Sequence, residues 1–255
     1  MDAINSNLLP DQEVHDRLLH LMQHINALCF RLFGNKVCLG PFTGMEIPEQ
    51  CEDGNSGTKL LGTYETYLTD ALQYAQWRLP NAVVNVGCGD GFYAIGMAIK
   101  LPEKQIYAFD LSEAALELCN EYAERNVVAD RVHTQRGCDH ASELQLPDVL
   151  GHRLYIFDCE GCELSLVDLE ACPQLRNSDL IIECHDFLHS HISSVIADRL
   201  AATHRVELIE PTLPNLESYH FIKVFPTIMS VLMAVEKRPM PCRWLACWAN
   251  QKGSH

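Results

Sequence analysis

Positive charge is what this sequence most lacks: 19 Lys and Arg stand against 34 Asp and Glu, a formal net charge of −15 with its 12 His neutral. A phosphate backbone or an anionic lipid surface has to be met by clustered Lys and Arg. No nucleic-acid and no membrane partner is therefore expected. Long apolar runs are missing too, since the longest uncharged one, Val224 to Val235, is broken by Pro226 and falls short of the roughly 18 residues of a membrane span. Met1 to Pro10 lacks the basic stretch and apolar run of a signal peptide, so a cytoplasmic location is expected. Cysteine is not scarce, but close, regular cysteine pairs are: 12 Cys scattered over 255 residues read as reduced thiols and not as a disulfide scaffold. With 47% apolar residues the chain can bury a core, which excludes general disorder. Its length fits one large domain or a domain with an extension. No internal repeat or low-complexity tract is visible.

From Asp11 to Phe33, Val14, Leu18, Met22, Ile25, Cys29 and Leu32 recur at helical spacing, predicting an amphipathic helix. His15, His20 and His24 on it read as a solvated or interface face, and a homodimer, should the chain form one, is expected through this helix. Gly40 to Gly57 has turn composition and reads as a linker or mobile lid. Residues 1–60 are thus expected as an N-terminal helical cap on a domain of residues 61–252, with 253–255 a cloning remnant. Thr63 as cap and Glu65 in the first turn predict a helix over Tyr64 to Leu79, stopped by Pro80. Strands are expected at Ala82–Val86, Ile106–Asp110, Val132–Arg136, Leu154–Asp158, Asp179–Cys184, Arg205–Glu210 and Arg243–Ala249. Helices fall between most of them, such as Ser112–Arg125 and Ile192–Thr203. Ile228, Val231, Leu232 and Val235 have helix spacing as well. Alternating strands and helices imply parallel pairing with right-handed crossovers, an α/β doubly wound sheet with helices on both faces.

The most informative run is Val83-Val84-Asn85-Val86-Gly87-Cys88-Gly89-Asp90-Gly91-Phe92-Tyr93-Ala94-Ile95-Gly96, in which an apolar strand feeds a tight turn and a helix. Ligands of an open parallel sheet lie at such a turn, where glycine lets the backbone come close. The spacing is G-x-G-x-G. A dinucleotide fingerprint needs glycine where Phe92 stands, so a nucleoside without phosphates fits better than a pyrophosphate. Nineteen residues after Gly91 comes Asp110, at a strand end where a carboxylate can accept from both hydroxyls of a ribose. Leu111 beside it can cover an adenine face.

Together these residues resemble the class I S-adenosylmethionine-dependent methyltransferases, whose first motif is this strand, turn and helix and whose second is this acidic residue. The resemblance implies a Rossmann-like sheet of seven strands, the last antiparallel, and S-adenosylmethionine as cofactor. It places Asn85, Gly87, Cys88, Gly89 and Gly91 along the methionine part, Asp110 and Leu111 at the ribose and adenine, and Cys138 and Asp139 at the adenine amino group. Asn85 departs from the pattern, standing where the first motif usually has an acid. It can bond the turn without carrying the charge. Asp158-Cys159-Glu160-Gly161-Cys162-Glu163 and Leu180-Ile181-Ile182-Glu183-Cys184-His185-Asp186 further resemble the FkbM group, in which D-x-E-G-x-E follows the fourth strand. Leu61-Gly62-Thr63-Tyr64-Glu65 also fits that group and would bring Thr63 and Glu65 to the cofactor's amino-acid end. The resemblance covers about Leu60 to Leu200.

Methyl transfer from a sulfonium is an in-line displacement, in which aligning the reactants and excluding water is worth up to about 7–11 kcal/mol. What is left is to orient or deprotonate the acceptor. Candidates at the strand ends are Asp158, Glu160, Glu163, His185 and Asp186. His185 is the first choice for a general base because imidazole titrates near neutral pH. Asp158 and Glu160 are expected to bind the cofactor's ammonium or orient the acceptor. Cys159-x-x-Cys162, with Cys172, Cys184 and His185 further on, lacks the second close pair of a structural zinc site. A magnesium site at Asp158, Glu160 and Asp186 is explained equally by cofactor binding. No metal is expected. The expected function is methylation of a small molecule, at oxygen or nitrogen, in small-molecule biosynthesis. Two rivals are an enzyme that cyclises or transfers the aminocarboxypropyl group and releases methylthioadenosine, and a non-catalytic interaction module of the same fold. Against the module stands the intact set Gly87, Gly89, Gly91 and Asp110.

Overall fold

The computed structural model describes residues 12–49, 51, 53–138, 140–144, 146, 151–236, 240 and 242–250. Seven strands form one sheet: β1 (Ala82–Val86), β2 (Gln105–Asp110), β3 (Val132–Arg136), β4 (Arg153–Phe157), β5 (Asp179–Cys184), β6 (His204–Ile209) and β7 (Arg243–Ala249). Their order is β3-β2-β1-β4-β5-β7-β6. The first five are parallel, and β7 runs antiparallel between β5 and β6. This is the expected Rossmann-like sheet, with the expected antiparallel last strand.

Both faces of the sheet are covered, so its central strands read as near-continuous apolar runs. All five residues of β1 and all six of β5 are buried. Side chains alternate across the pleat. Val83, Ile106, Ile156 and Ile181 enter one core with α3 (Thr69–Trp77), α4 (Phe92–Lys100) and α5 (Glu113–Arg125), whereas Val84, Val86, Phe157 and Ile182 enter a second core with α7 (Ile192–Leu200). At the head of α5 the Ser112 hydroxyl accepts from the Ala115 amide at 3.2 Å, a conventional N-cap.

Three expectations change. The Gly40–Gly57 segment is not a loose linker: Phe42, Met45 and Ile47 are buried in the same core as α4, and α1 (Gln12–Phe33) adds Ile25 and Cys29 to it. Gly96 makes the approach possible, because a Cβ there would come within 2.5 Å of the Phe42 ring. Secondly, Thr63 does not cap a helix over Tyr64–Leu79. α2 (Ser56–Leu61) ends at a left-handed Gly62, the Thr63 hydroxyl donates back to the Thr58 carbonyl at 3.4 Å, Glu65 itself has φ +45°, and a 3-10 turn at Thr66–Leu68 precedes α3. Thirdly, α8 (Thr227–Ala234) exists, but it buries Ser230, Met233 and Ala234 and leaves Ile228 73% exposed, with Val231 and Leu232 also exposed. Its small residues let it lie close to α1 and α2, which outweighs the larger side chains as the choice of face. No helix among the described residues is long and apolar enough to cross a membrane.

Candidate active site

The carboxyl ends of β1, β2, β4 and β5 open on one cavity of about 540 Å³, within the size range of small-ligand sites. On the β1–β2 side its wall is backbone. The turn after β1 has Gly87 at φ +71° and Gly91 at φ +91°, and a Cβ on Gly87 would lie 1.7 Å from the Asp158 carbonyl oxygen. Only glycine can sit there, and by doing so it lets the β1 and β4 ends close up. Asp110 accepts from the Gly89 amide and the Ser112 amide, both at 2.9 Å. A carboxylate offers about four lone-pair sites, so Asp110 can fix the turn and still receive two ribose hydroxyls in the cavity it lines. Leu111 beside it is 54% exposed and is not among the residues that line the cavity. This donor set and this cavity fit S-adenosylmethionine.

The β4–β5 side is built from side chains. Asp158, Glu160, Glu183, His185 and Cys242 all line the cavity. His185 is buried, and its Nδ1 lies 2.6 Å from Oε1 of the fully buried Glu163, which also accepts from the Gly161 amide at 3.1 Å. Its Nε2 lies 3.3 Å from Glu160, 3.6 Å from Glu183 and 3.9 Å from Asp158. Burial pushes the imidazole pKa down, but the hydrogen bond and charge of Glu163, with the charges of Asp158 and Glu160, outweigh it and leave the pKa raised. Glu160 reaches this place from a left-handed backbone, φ +51°.

The third wall comes from the N-terminal segment. Lys59 on α2 is buried; its ammonium donates to Asp90 at 2.8 Å, pairs with Asp53 at 3.3 Å, and sits over the Tyr64 and Phe92 rings at 5.2 and 5.5 Å. Desolvation alone would lower its pKa, yet Asp53 and Asp90 raise it well above the ordinary value, so it stays charged. Lys59, Asp53, Asp90, Tyr64 and Phe92 all line the cavity. None of them stood out in the sequence as a site residue.

Of the residues singled out from sequence, the cavity wall contains Gly87, Cys88, Gly89, Asp110, Asp158, Glu160 and His185. Gly91 supports the turn from behind, packed against Cys119. Asn85 turns into the sheet, its Nδ2 donating to the Ile156 carbonyl at 3.4 Å while its Oδ1 is buried without a hydrogen-bond partner. Thr63 and Glu65 are buried beside the main cavity; the Tyr93 hydroxyl donates to Glu65, which lines a small separate pocket with Phe42. Cys138 is buried in the second core at φ +93°, its amide donating to Glu143 at 2.8 Å. Asp139 lies outside the described residues. One further wall residue had a readable signal: Glu183 is the one acid inside the apolar run Leu180–Cys184.

Residues 83–149 match the model of a family described as a methyltransferase domain. A protein of Pyrobaculum calidifontis named "Probable cobalt-precorrin-6B C(15)-methyltransferase (decarboxylating)" is 33% identical over 98 residues, 38% of this chain. The chain spans about half the length of that relative, 49%. Similar solved structures include a precorrin-6y C5,15-methyltransferase from Geobacter metallireducens, with TM-score 0.48 and 12% identity over 71% of this chain and 89% of the other. An O-methyltransferase from Bacillus cereus in complex with SAH has TM-score 0.48 and 12% identity over 95% of this chain and 93% of the other. The segment matched to that family runs from the first strand through the glycine turn and Asp110, and over this part of a sheet ordered β3-β2-β1-β4-β5-β7-β6 the chain is similar to a methyltransferase domain.

Proposed function

We propose that this chain transfers the methyl group of S-adenosylmethionine to an oxygen or nitrogen of a small molecule, and that it is a member of the FkbM group. The observation that carries the first part is the sharing of one cavity by the glycine turn and Asp110 on one side and Asp158, Glu160 and His185 on the other. The D-x-E-G-x-E run from Asp158 to Glu163 supports the second. The cofactor supplies a methyl carbon already activated by its sulfonium. The chain's own residues supply position and charge: Asp110 and the Gly87–Gly91 turn hold the nucleoside, and the buried walls exclude water. His185, held at Nδ1 by Glu163, turns Nε2 and its carboxylate neighbours toward the acceptor. Among the described wall residues, Asp53, Asp90, Asp110, Asp158, Glu160 and Glu183 outnumber Lys59 and His185, which favours a neutral or cationic acceptor over a phosphate or carboxylate.

Calorimetry with S-adenosylmethionine and S-adenosylhomocysteine tests the binding, with micromolar affinity expected. Mass spectrometry of the turnover products tests the reaction. S-adenosylhomocysteine with a methylated acceptor supports the proposal. Methylthioadenosine would replace methyl transfer by transfer of the aminocarboxypropyl group, and absence of binding would end the enzyme reading.

A further inference from the structure

We propose that the β5 end of the cavity is a zinc site, with His185, Glu183 and Cys242 as its three protein ligands and its fourth position facing the acceptor. The metal-ligating atoms of these three residues lie within 4.8 Å of one another, and all three residues are buried. They come from two strands that meet only in the fold: Glu183 and His185 at the end of β5, and Cys242 just before β7. Because β7 runs antiparallel to β5, with Cys184 opposite Arg243, the residue entering β7 arrives at the edge where β5 ends.

The two nitrogens of His185 are held differently, and the difference points to an ion. At 2.6 Å, Nδ1 makes a short charge-assisted hydrogen bond to Glu163. Nε2 is the ring nitrogen on the side of the other carboxylates. It faces oxygens of Glu160, Glu183 and Asp158 at 3.3, 3.6 and 3.9 Å. Three carboxylate oxygens converging on one ring nitrogen gather negative charge that a bound cation would offset. The distances exceed those of charge-assisted hydrogen bonds, about 2.7–2.9 Å. The 3.6 Å between Nε2 and Glu183, the carboxylate among the proposed ligands, matches the edge of a coordination tetrahedron, for zinc bonds of about 2.0–2.2 Å to nitrogen and oxygen set their ligand atoms about 3.3–3.6 Å apart.

The donor set selects the metal. Imidazole, carboxylate and thiolate together suit zinc, whereas magnesium and calcium take oxygen almost alone. Glu163 then has the role that a carboxylate commonly takes behind a metal-bound histidine, fixing its tautomer and raising its basicity. Three buried ligands with a fourth position open to a cavity is the pattern of catalytic zinc, not structural zinc. An ion held there would polarise the hydroxyl or amine of the acceptor, and the proton so released would pass to Asp158 or Glu160 at the rim. The site stands whether or not a methyl group is transferred.

The test uses the full chain, stripped with a chelator and then titrated with zinc by calorimetry and with cobalt(II) by absorption. A single equivalent of zinc and a sulfur-to-cobalt charge-transfer band are expected. Cys242→Ser should abolish the band while circular dichroism and thermal unfolding stay as in wild type, and Cys51→Ser should leave it unchanged. Glu163→Gln, which keeps every ligand, should weaken zinc binding about 10–100-fold and serves as the second variant if Cys242→Ser does not fold. No saturable zinc binding in wild type, a band that survives Cys242→Ser, or a band lost in Cys51→Ser would each overturn the site. S-adenosylmethionine binding is measured on the same stripped protein. Cofactor binding without zinc uptake overturns the site alone, and zinc uptake without cofactor binding overturns the methyltransferase reading alone.

Discussion

On the β1–β2 side of the cavity the contacts come from backbone, in a turn of glycines pinned by one carboxylate, and every part of it lies within the 24 residues from Gly87 to Asp110. On the β4–β5 side they come from side chains of Asp158, Glu160, Glu163, Glu183, His185 and Cys242, spread over more than eighty residues. A backbone cradle depends on where chain and ligand come close, so one local motif can encode it. A side-chain cluster depends on which strands become neighbours, and no local motif does.

If the two sides divide the work in this way, substitutions should separate turnover from cofactor affinity. The largest effect is expected at His185. His185→Ala should lower turnover by roughly 10²–10⁴, read by steady-state kinetics, with cofactor affinity by calorimetry nearly unchanged. Loss of cofactor binding in this variant would erase the distinction.

Next in size is a change that should touch neither side. Asp179, at the opposite end of β5, is buried and accepts from Arg78 at 2.6 Å, pairs with His152 at 2.9 Å and takes the Ala249 amide at 3.0 Å. Asp179→Asn should cost about 3–5 kcal/mol of stability, as loss of one partner of a buried pair does, measured by urea unfolding with cofactor affinity as the control. Burial raises the Asp179 pKa, but His152 and Arg78 outweigh it and leave it lowered. A folded-state pKa below the unfolded one, about 3.9, contributes stability that is fully present above the unfolded value and is lost as pH falls through the folded one. The gap between wild type and variant should therefore close on acidification.

Gly87→Ala is the substitution that should hurt both sides at once. Its Cβ would overlap the Asp158 carbonyl, and left-handed strain with overpacking should together cost about 2–4 kcal/mol. Thermal unfolding and calorimetry should both register the loss. The smallest of the four effects is expected for Asp110→Ala, about 1.5–3 kcal/mol of cofactor affinity, with part of it arising from the freed Gly89 amide. A stability loss without an affinity loss would make Asp110 a turn-holder only.

How much of this was legible in sequence follows the same line. All seven strands were readable within a residue or so: β1, β4 and β5 are fully buried and nearly continuous apolar runs, and the others were placed by their alternation with helical segments. The glycine turn, Asp110, Asp158, Glu160 and His185 were readable because each stands at the end of such a run. Hidden were the features that need the third dimension. Gly40–Gly57 has the composition of a loop, yet Gly96 opens a seat for Phe42 that no spacing announces. Lys59 looked like any helix lysine until Asp53 and Asp90 arrived from either side of it in sequence. Cys242 looked like an isolated thiol after Pro241, and only strand order brings it to His185.

That strand order also has a consequence for how the molecule is made. β7 is the last of the seven strands in sequence, yet it lies inside the sheet, between β5 and β6. β1 and β2, which carry the glycine turn and Asp110, are neighbours both in sequence and in the sheet. The β5 end waits for a strand that must enter between two others, a pairing of long loop closure and slow formation. Cys242, just before that strand, is thus the last of the described wall residues of the cavity to be put in place.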